Sequence, residues 1–288
     1  MKSLVLSGGS SKGAYQVGVL KKWMGEDGRD YEIICGVSVG ALNGSYLSQF
    51  KYGEPKAASD GLLGLWSRVK NENVKKSWFM GALAALWKRS VYDSTPLQKW
   101  IDSELDLDLL AKSGKLLRVG CTSWRTGQYT FATEKDPNIK KWVMASSSYP
   151  VFLLPVEIDG DLWTDGGLRN VTPLGEAIRL GADEIDVVMC SRPDVPSDWD
   201  WSKASAIPDF LMQSLGIMGD QVMMADLQVC GLKNDIAELN DKYKKVKIRV
   251  LRPSVPLAVE AMDFSQEAVQ RMIQIGYEDA QAFKPDGP

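Results

Sequence analysis

The segment Gly36-Val37-Ser38-Val39-Gly40 decides the fold, because it joins a strand-like run to a helix-like run. Tyr31 to Cys35 is typical of a buried strand, and Ala41 to Phe50 continues as a helix. Small residues beside the serine allow a sharp turn that leaves its hydroxyl exposed. This GxSxG pattern predicts a strand-turn-helix unit with Ser38 as a candidate nucleophile. A structural turn with a capping serine is the alternative.

A second unit of this kind precedes the first. Lys2 to Leu6 is a short apolar strand, Gly8-Gly9-Ser10-Ser11-Lys12-Gly13 is a turn, and Ala14 to Met24 has helical apolar spacing. Two such units in succession indicate a parallel sheet. Backbone N–H groups at the start of a helix attract negative charge, so this glycine loop suits an oxyanion hole.

Nucleotide binding is the competing interpretation of the glycine loop. A P-loop requires Lys and then Ser or Thr after its last glycine, where Ala14 and Tyr15 stand. The dinucleotide pattern GxGxxG fails at Ser10. Dinucleotide binding is therefore only a minor alternative.

The rest of the chain continues the alternation of strands and helices. Helices are predicted at Pro173 to Leu180 and at Gln266 to Phe283. The expected fold class is α/β, a three-layer α/β/α sandwich with a central, mostly parallel sheet. Further strands are predicted at Leu116 to Ser123, Gln128 to Ala132, Val156 to Trp163, Glu184 to Cys190 and Val246 to Leu251.

Nothing in the composition divides the chain, so we expect one catalytic domain over residues 1–288. Helical segments near 61–110 and 207–227 interrupt the alternation and are predicted to form a wall over the carboxyl edge of the sheet. No signal-like segment and no run of about 18 apolar residues occurs, which favours a cytoplasmic protein without a membrane span.

The amino-acid counts exclude several kinds of chemistry. The chain has no histidine, so a Ser-His-Asp triad and the usual zinc sites are excluded within it. The net charge of −3 gives no electrostatic footprint for nucleic acid, and no such partner is expected. The cysteines show no CxxC spacing, and we expect buried free thiols at Cys35, Cys121, Cys190 and Cys230.

Asp165-Gly166-Gly167 is a third loop with potential for chemistry, following a hairpin-like stretch. Asp-Gly is first of all a turn dipeptide, and a capping role for Asp165 is the plain alternative. A serine nucleophile, however, needs a proton acceptor and an oxyanion site. Without histidine, that acceptor must be a carboxylate or a lysine.

The three loops resemble those of patatin-like phospholipases in type and in order. The resemblance runs from Met1 to about Gly181 and includes Ala145 to Pro150 before the aspartate loop, with Asn170 and Pro173 after it. It implies a Ser-Asp dyad in which Ser38 is the nucleophile and Asp165 is the base. It also implies that the amides of Gly8, Gly9 and Ser10 are the oxyanion donors. Lys12 would orient or charge this loop and take part in substrate binding.

One position departs from the family pattern, which usually has glycine where Ser10 stands. If the loop needs a positive φ at this position, Ser10 adopts it at some cost in strain. The oxyanion geometry is thus the part of the resemblance that the sequence supports least.

The resemblance implies a serine lipid acyl hydrolase that cleaves phospholipids or related acyl lipids through an acyl-enzyme, with no cofactor and no metal. Soluble esters, thioesters or acyl transfer remain alternatives, as does a catalytically silent lipid-binding scaffold. A free aspartate has a pKa of about 3.9 and is a weak base, so local desolvation should help it. Activity is expected to persist to lower pH than in histidine-dependent hydrolases.

A membrane-facing wall or lid is a further hypothesis, for Leu62 to Arg89. Aromatic and basic side chains are mixed in this segment, as suits the headgroup region of a membrane. The competing interpretation is a helix that packs its apolar face on its own core. The aromatic residues concerned are Trp66, Trp78, Phe79 and Trp87.

Overall fold

The computed structural model describes residues 1–77, 89–192, 245–257 and 262–284, with scattered positions between 210 and 231. Its strands, numbered in chain order, form an eight-stranded sheet and a small two-stranded one. They are β1 (Lys2–Leu6), β2 (Ile33–Val37), β3 (Lys76–Ser77), β4 (Tyr92–Asp93), β5 (Leu116–Ser123), β6 (Tyr129–Thr133), β7 (Val156–Ile158), β8 (Asp161–Asp165), β9 (Glu184–Val188) and β10 (Lys247–Leu251).

The large sheet has the strand order β10-β9-β1-β2-β5-β8-β7, and β6 also pairs with β5. Strands β10, β9, β1, β2 and β5 are parallel neighbours. The pairs β5–β6, β5–β8 and β7–β8 are antiparallel. The predicted α/β class with a mostly parallel sheet is confirmed, and one side of the sheet is antiparallel.

Helices flank this sheet and alternate with its parallel strands. The first of them continues into a π-helical segment, Lys21–Glu26, which together with it covers the predicted helix at 14–24. The described helices are α1 (Gly13–Leu20), α2 (Val39–Leu47), α3 (Pro55–Arg68), α4 (Asn71–Val74), α5 (Thr95–Glu104), α6 (Leu107–Lys112), α7 (Ile139–Ser146), α8 (Leu174–Arg179) and, as α9, Gln266–Ala282.

Both faces of the sheet are buried, as a parallel sheet requires. Successive side chains of a strand point to opposite faces, and β1 shows this directly. Leu4 and Leu6 belong to the larger core, which most of the helices cover. Val5 belongs to a smaller core on the other face, where α8 packs through Leu174 and Ala177.

One predicted strand is a hairpin. The stretch 156–163 contains Asp159 and Gly160, which have φ angles of 51° and 78°. Two consecutive residues with positive φ make the tight turn that suits the twist of a two-residue hairpin. The chain therefore reverses between β7 and β8, and β8 ends at Asp165.

The predicted helical character of 61–110 is present in α3 to α6, whereas β3 and β4, which lie in the same segment, form a short two-stranded sheet. Trp66 is 5% exposed within the core, so it is not part of a membrane-facing surface. Residues 78–88 lie outside the described residues, and with them Trp78, Phe79 and Trp87. The positions of 207–227 that are described, which lie between 210 and 225, are helical.

Three of the four cysteines are buried free thiols, as expected: Cys35, Cys121 and Cys190. Cys230 lies outside the described residues. In the described part of the chain, no helix combines the length and the apolar character needed to cross a bilayer.

Candidate active site

Ser38 occupies a sharp turn between β2 and α2. Its backbone has φ 58° and ψ −128°, an unfavourable conformation for a residue with a side chain. The flanking glycines are required by close packing. A Cβ on Gly36 would lie 2.3 Å from the Gly40 carbonyl oxygen, and one on Gly40 would lie 2.2 Å from the Leu6 carbonyl oxygen. The GxSxG pattern thus reflects a turn whose first and last positions have no room for a side chain.

The turn is held by a serine that the sequence did not single out. The Ser38 amide donates a hydrogen bond to Oγ of Ser146 at 2.9 Å. The same hydroxyl donates to the carbonyl oxygen of Gly120 at 2.7 Å. Ser146 therefore ties the nucleophile turn to β5 and to the end of α7. It lies in the stretch 145–150 that carries part of the family resemblance, which was the available signal.

Strand pairing brings Asp165 to the level of Ser38. Val37 lies opposite Gly120 in the β2–β5 register, and Cys121 lies opposite Asp165 in the β5–β8 register. β5 is thus the strand between the two candidate catalytic residues. Ser38 directly follows β2, and Asp165 is the last residue of β8, which runs antiparallel to β5.

The Asp165 carboxyl is buried, with its residue 1% exposed. Oδ1 accepts a hydrogen bond from the Gly167 amide at 2.7 Å. Oδ2 accepts no hydrogen bond of ordinary geometry from the described residues. Burial raises the pKa of Asp165 to about 7, partly offset by interactions with the Ser38 hydroxyl and the Gly167 amide. Oδ2 is therefore the oxygen available to take a proton.

The sequence analysis expected desolvation to strengthen Asp165 as a base, and burial raises its pKa in this direction. A pKa near 7 predicts that activity falls on the acid side, contrary to the expectation of activity at low pH. Desolvation disfavours the charged carboxylate and moves its titration close to that of a free histidine. Asp165 also acts on Tyr149, whose pKa is raised to about 12 by burial and by the nearby carboxylate.

The glycine loop approaches the nucleophile closely. A Cβ on Gly8 would lie 3.3 Å from Cβ of Ser38. Ser10 has φ 54°, so the strained conformation considered from the sequence is present. The Gly8 amide donates a hydrogen bond to the Val171 carbonyl oxygen at 3.2 Å. It is therefore not the free oxyanion donor that the resemblance implied. The described residues provide no acceptor for the amides of Gly9 and Ser10.

Ser7 is a second residue that the sequence analysis missed. It is fully buried, and its Oγ accepts from the Cys190 amide and donates to the Gly8 carbonyl oxygen, both at 3.0 Å. Gln16 Nε2 donates to the Ser7 carbonyl oxygen at 2.9 Å. These bonds fix the peptide that begins the glycine loop. Ser7 directly precedes that loop, but serine in this place has no distinctive sequence signal.

Lys12 ends the short 3₁₀ turn that follows Gly9. Burial raises the pKa of Cys190 to about 12, and Ser7 and Lys12 partly offset this effect. Burial also raises the pKa of Asp220, partly offset by Ser191 and Lys12. Lys12 therefore acts on the β9 side of the loop, and no effect of it on Asp165 is found.

The described residues contain no group of three or more cysteine, aspartate or glutamate side chains arranged to hold a metal ion. The site is instead a serine at a strained turn, a buried carboxyl and a loop with free amides. Such groups can form and hydrolyse an acyl ester of the serine.

Sequence comparison relates this chain to known proteins. The profile of the family described as Patatin-like phospholipase matches residues 4–178. An uncharacterized protein of Acanthamoeba polyphaga mimivirus is 26% identical over 202 residues, covering 65% of this chain and 63% of that protein. Lysophospholipase NTE1 of Scheffersomyces stipitis is 26% identical over 199 residues, covering 66% of this chain but 12% of that protein.

The chain thus spans less than two thirds of these two relatives. Among solved structures, VipD from Legionella pneumophila aligns with 98% of this chain and 66% of its own, at 16% identity and a TM-score of 0.48. The profile match extends over more than half of the chain and includes the three loops described above. The chain belongs to the patatin-like phospholipase family.

Proposed function

We propose that the protein is a serine acyl hydrolase that cleaves carboxylic esters of phospholipids or related acyl lipids. The observation that carries this proposal is the juxtaposition of Ser38, in its strained turn, with the buried Asp165 carboxyl. A base with a pKa near 7 is matched to proton transfer at neutral pH. Family membership supports a hydrolase acting on lipid esters in general.

The reaction begins with ionised Asp165. Oδ2 accepts the Ser38 hydroxyl proton while Oγ attacks the ester carbonyl, and the carbonyl oxygen becomes negatively charged. Collapse of this intermediate breaks the bond to the alcohol, which leaves with the proton from Asp165. Water then attacks the acyl-serine and gives a proton to Asp165. Asp165 passes this proton to Oγ of Ser38 as the bond from Oγ to the acyl carbon breaks, which releases the fatty acid and restores ionised Asp165.

The amides of Gly9 and Ser10 stabilise the oxyanion in this proposal. In a trans peptide the C=O and N–H point in opposite directions. The Ser7 hydroxyl holds the Gly8 carbonyl oxygen, so the N–H of Gly9, in the same peptide, points away from Ser7. Ser7 is thus a positioning residue. The Gly8 amide joins the donors only if its 3.2 Å bond to Val171 opens.

Small soluble esters, thioesters and acyl transfer are the second candidate, because the same acyl-enzyme serves all of them. The printed name of one relative, a lysophospholipase, favours lipid esters. Product analysis separates the candidates. Purified protein is incubated with mixed phospholipids, glycerides and soluble thioesters, and the products are identified by mass spectrometry.

The proposal expects free fatty acid and lysophospholipid from phospholipids, and none of either from a Ser38→Ala variant. A matched control is Ser45→Ala, which removes a buried hydroxyl of α2 that has no hydrogen-bond partner among the described residues. Release of fatty acid by Ser38→Ala at the wild-type rate would contradict the proposal. Cleavage of soluble thioesters alone would favour the second candidate.

A further inference from the structure

A crevice beside the nucleophile helix has no role in the mechanism above. It lies between α2, α3 and α5 and encloses about 60 Å³. Twelve of its fourteen lining residues are apolar or aromatic, and the other two are Asn43 and Glu104. A water molecule needs about 10–15 Å³ of such space, so the α2 crevice can hold roughly four to six atoms of that size.

The α2 crevice follows the helix that begins directly after Ser38. Val39, Leu42, Asn43 and Tyr46 line it, at spacings that place them on one face of α2. Side chains in a helix tilt toward its N-terminus, here toward the nucleophile. From Ser38 to Tyr46 the helix rises about 12 Å. The crevice therefore extends along one face of the helix, starting at Val39, the residue that follows the nucleophile.

The two polar side chains in the wall of the crevice already have hydrogen-bond partners, so the wall offers them to no ligand. Asn43 Oδ1 accepts from the Trp66 indole at 2.8 Å, and its Nδ2 donates to Gln16 at 2.9 Å. Glu104 is paired with Arg68, with both guanidinium nitrogens at 3.3 Å from its two oxygens. A ligand in the crevice thus meets mainly carbon atoms, and a polar or charged ligand would lose its hydration without compensation.

We propose that the α2 crevice binds the acyl chain of the substrate and selects chains of hexanoyl to octanoyl length, in which four to six carbons follow the two at the reacting ester. The inference rests on the proposed function, since it places the chain of a Ser38 ester in this crevice. Leu97 on α5 lines the space and is 3% exposed, so a larger side chain at this position would reduce the volume of the crevice and a smaller one would enlarge it. Longer chains must extend beyond the crevice and gain less from it.

The first test measures binding without chemistry. Ser38→Ala protein is titrated with octanol, a neutral probe of the chain, and with butanol as the short comparison. We expect octanol to raise the melting temperature more than butanol does, and Leu97→Phe in the same background to remove the difference. An octanol effect that Leu97→Phe leaves intact would overturn the assignment of the crevice, whatever the enzyme hydrolyses.

The second test uses reciprocal variants, because a folding defect cannot shift selectivity in two directions. Wild type, Leu97→Phe and Leu97→Ala are assayed on p-nitrophenyl butyrate, octanoate and palmitate. We expect Leu97→Phe to lower kcat/KM on octanoate about tenfold relative to butyrate. Leu97→Ala should raise the ratio of palmitate to octanoate. Leu110→Ala is the matched control, since Leu110 is fully buried but does not line the crevice.

Equal changes on all three esters in both Leu97 variants would overturn the chain-length role. The two proposals fail in different ways. Octanol binding that depends on Leu97, in a protein that hydrolyses no ester, would retain the apolar site and reject the hydrolase. Ester hydrolysis without any dependence on Leu97 would retain the hydrolase and reject the crevice as its acyl site.

Discussion

The amide of Ser38 and the hydroxyl of Ser146 are joined by a 2.9 Å hydrogen bond across 108 positions of sequence. Ser146 in turn donates to the Gly120 carbonyl, so its one hydroxyl satisfies two backbone groups of the site. Its removal leaves both without that partner, and an unpaired buried group costs about 1–3 kcal/mol. The nucleophile turn therefore depends on a residue from α7.

We expect Ser146→Ala to lower both the melting temperature and kcat, because the turn that presents Ser38 loses its support. The checks are thermal unfolding and hydrolysis of p-nitrophenyl butyrate. Ser45→Ala, another buried serine-to-alanine change, controls for a general loss of stability. If Ser146→Ala unfolds at lower temperature but keeps full kcat in its folded fraction, the serine supports only the fold.

Asp165→Asn should be inactive and yet more stable than wild type at pH 8. The pKa of Asp165 is about 7 in the folded protein, above its ordinary value of 3.8. The folded state thus binds the proton more tightly, and wild-type stability falls as pH rises from about 4 to about 7. Asparagine does not titrate, so its advantage should grow over this range and then level off.

Melting temperatures of wild type and Asp165→Asn at a series of pH values measure this effect. Asp161→Asn is the matched control, since interactions with Ser123 and other partners lower the pKa of Asp161. Its loss of charge should not stabilise the protein at pH 8. A constant difference between wild type and Asp165→Asn from pH 4 to pH 8 would mean that the Asp165 pKa is not raised.

The kcat/KM of the free enzyme should fall on the acid side with an apparent pKa near 7. The active form is ionised Asp165, and protonation removes the base. The assay is a pH profile on a soluble ester within the range in which the protein stays folded. Full activity at pH 5 would contradict either the role of Asp165 or its raised pKa.

Ser7→Ala should reduce kcat while leaving KM nearly unchanged. Loss of its hydroxyl frees the Gly8 carbonyl, so the Gly9 amide is no longer held toward the oxyanion. Removing an oxyanion donor outright costs about 100- to 1,000-fold in kcat, and loosening one should cost less. Ser45→Ala again serves as control. An increase in KM with unchanged kcat would show that Ser7 affects substrate binding and not the oxyanion.

Ser10→Gly should stabilise the protein and keep it active. Ser10 has φ 54°, in the left-handed region, where a residue with a Cβ is disfavoured by about 1–2 kcal/mol. Glycine removes this strain and retains the amide, although it also gains freedom in the unfolded chain. Thermal unfolding and kcat are the measurements. A lower melting temperature would indicate that the Ser10 side chain makes a stabilising contact.

Much of this fold was predictable because its signals are local. The two strand-loop-helix units and the strand at 116–123 depend on apolar runs and on glycines next to them, and the structure has them. The stretch before Asp165 was recognised as hairpin-like, but 156–163 was still predicted as one strand, because the position of its reversal depends on the φ angles of Asp159 and Gly160. An apolar run on either side of a two-residue turn gives the same pattern as one longer strand.

The candidate site was predictable in its residues but not in its environment. Motif order pointed to Ser38 and Asp165, whereas the raised pKa of Asp165 depends on burial by residues distant in sequence. The same holds for Ser7 and Ser146, whose hydrogen bonds join positions 183 and 108 residues apart. A buried serine has no pattern that distinguishes such a role from simple packing.

Covalent labelling by a fluorophosphonate tests the central claim most directly, since it reports the nucleophile itself. Intact-mass and peptide mass spectrometry are applied to wild type, Ser38→Ala and Asp165→Asn after equal exposure at pH 8. The account predicts a single adduct on Ser38 in wild type, none in Ser38→Ala, and strongly slowed labelling in Asp165→Asn. An adduct on another residue, or labelling of Ser38 at the wild-type rate without Asp165, would contradict it.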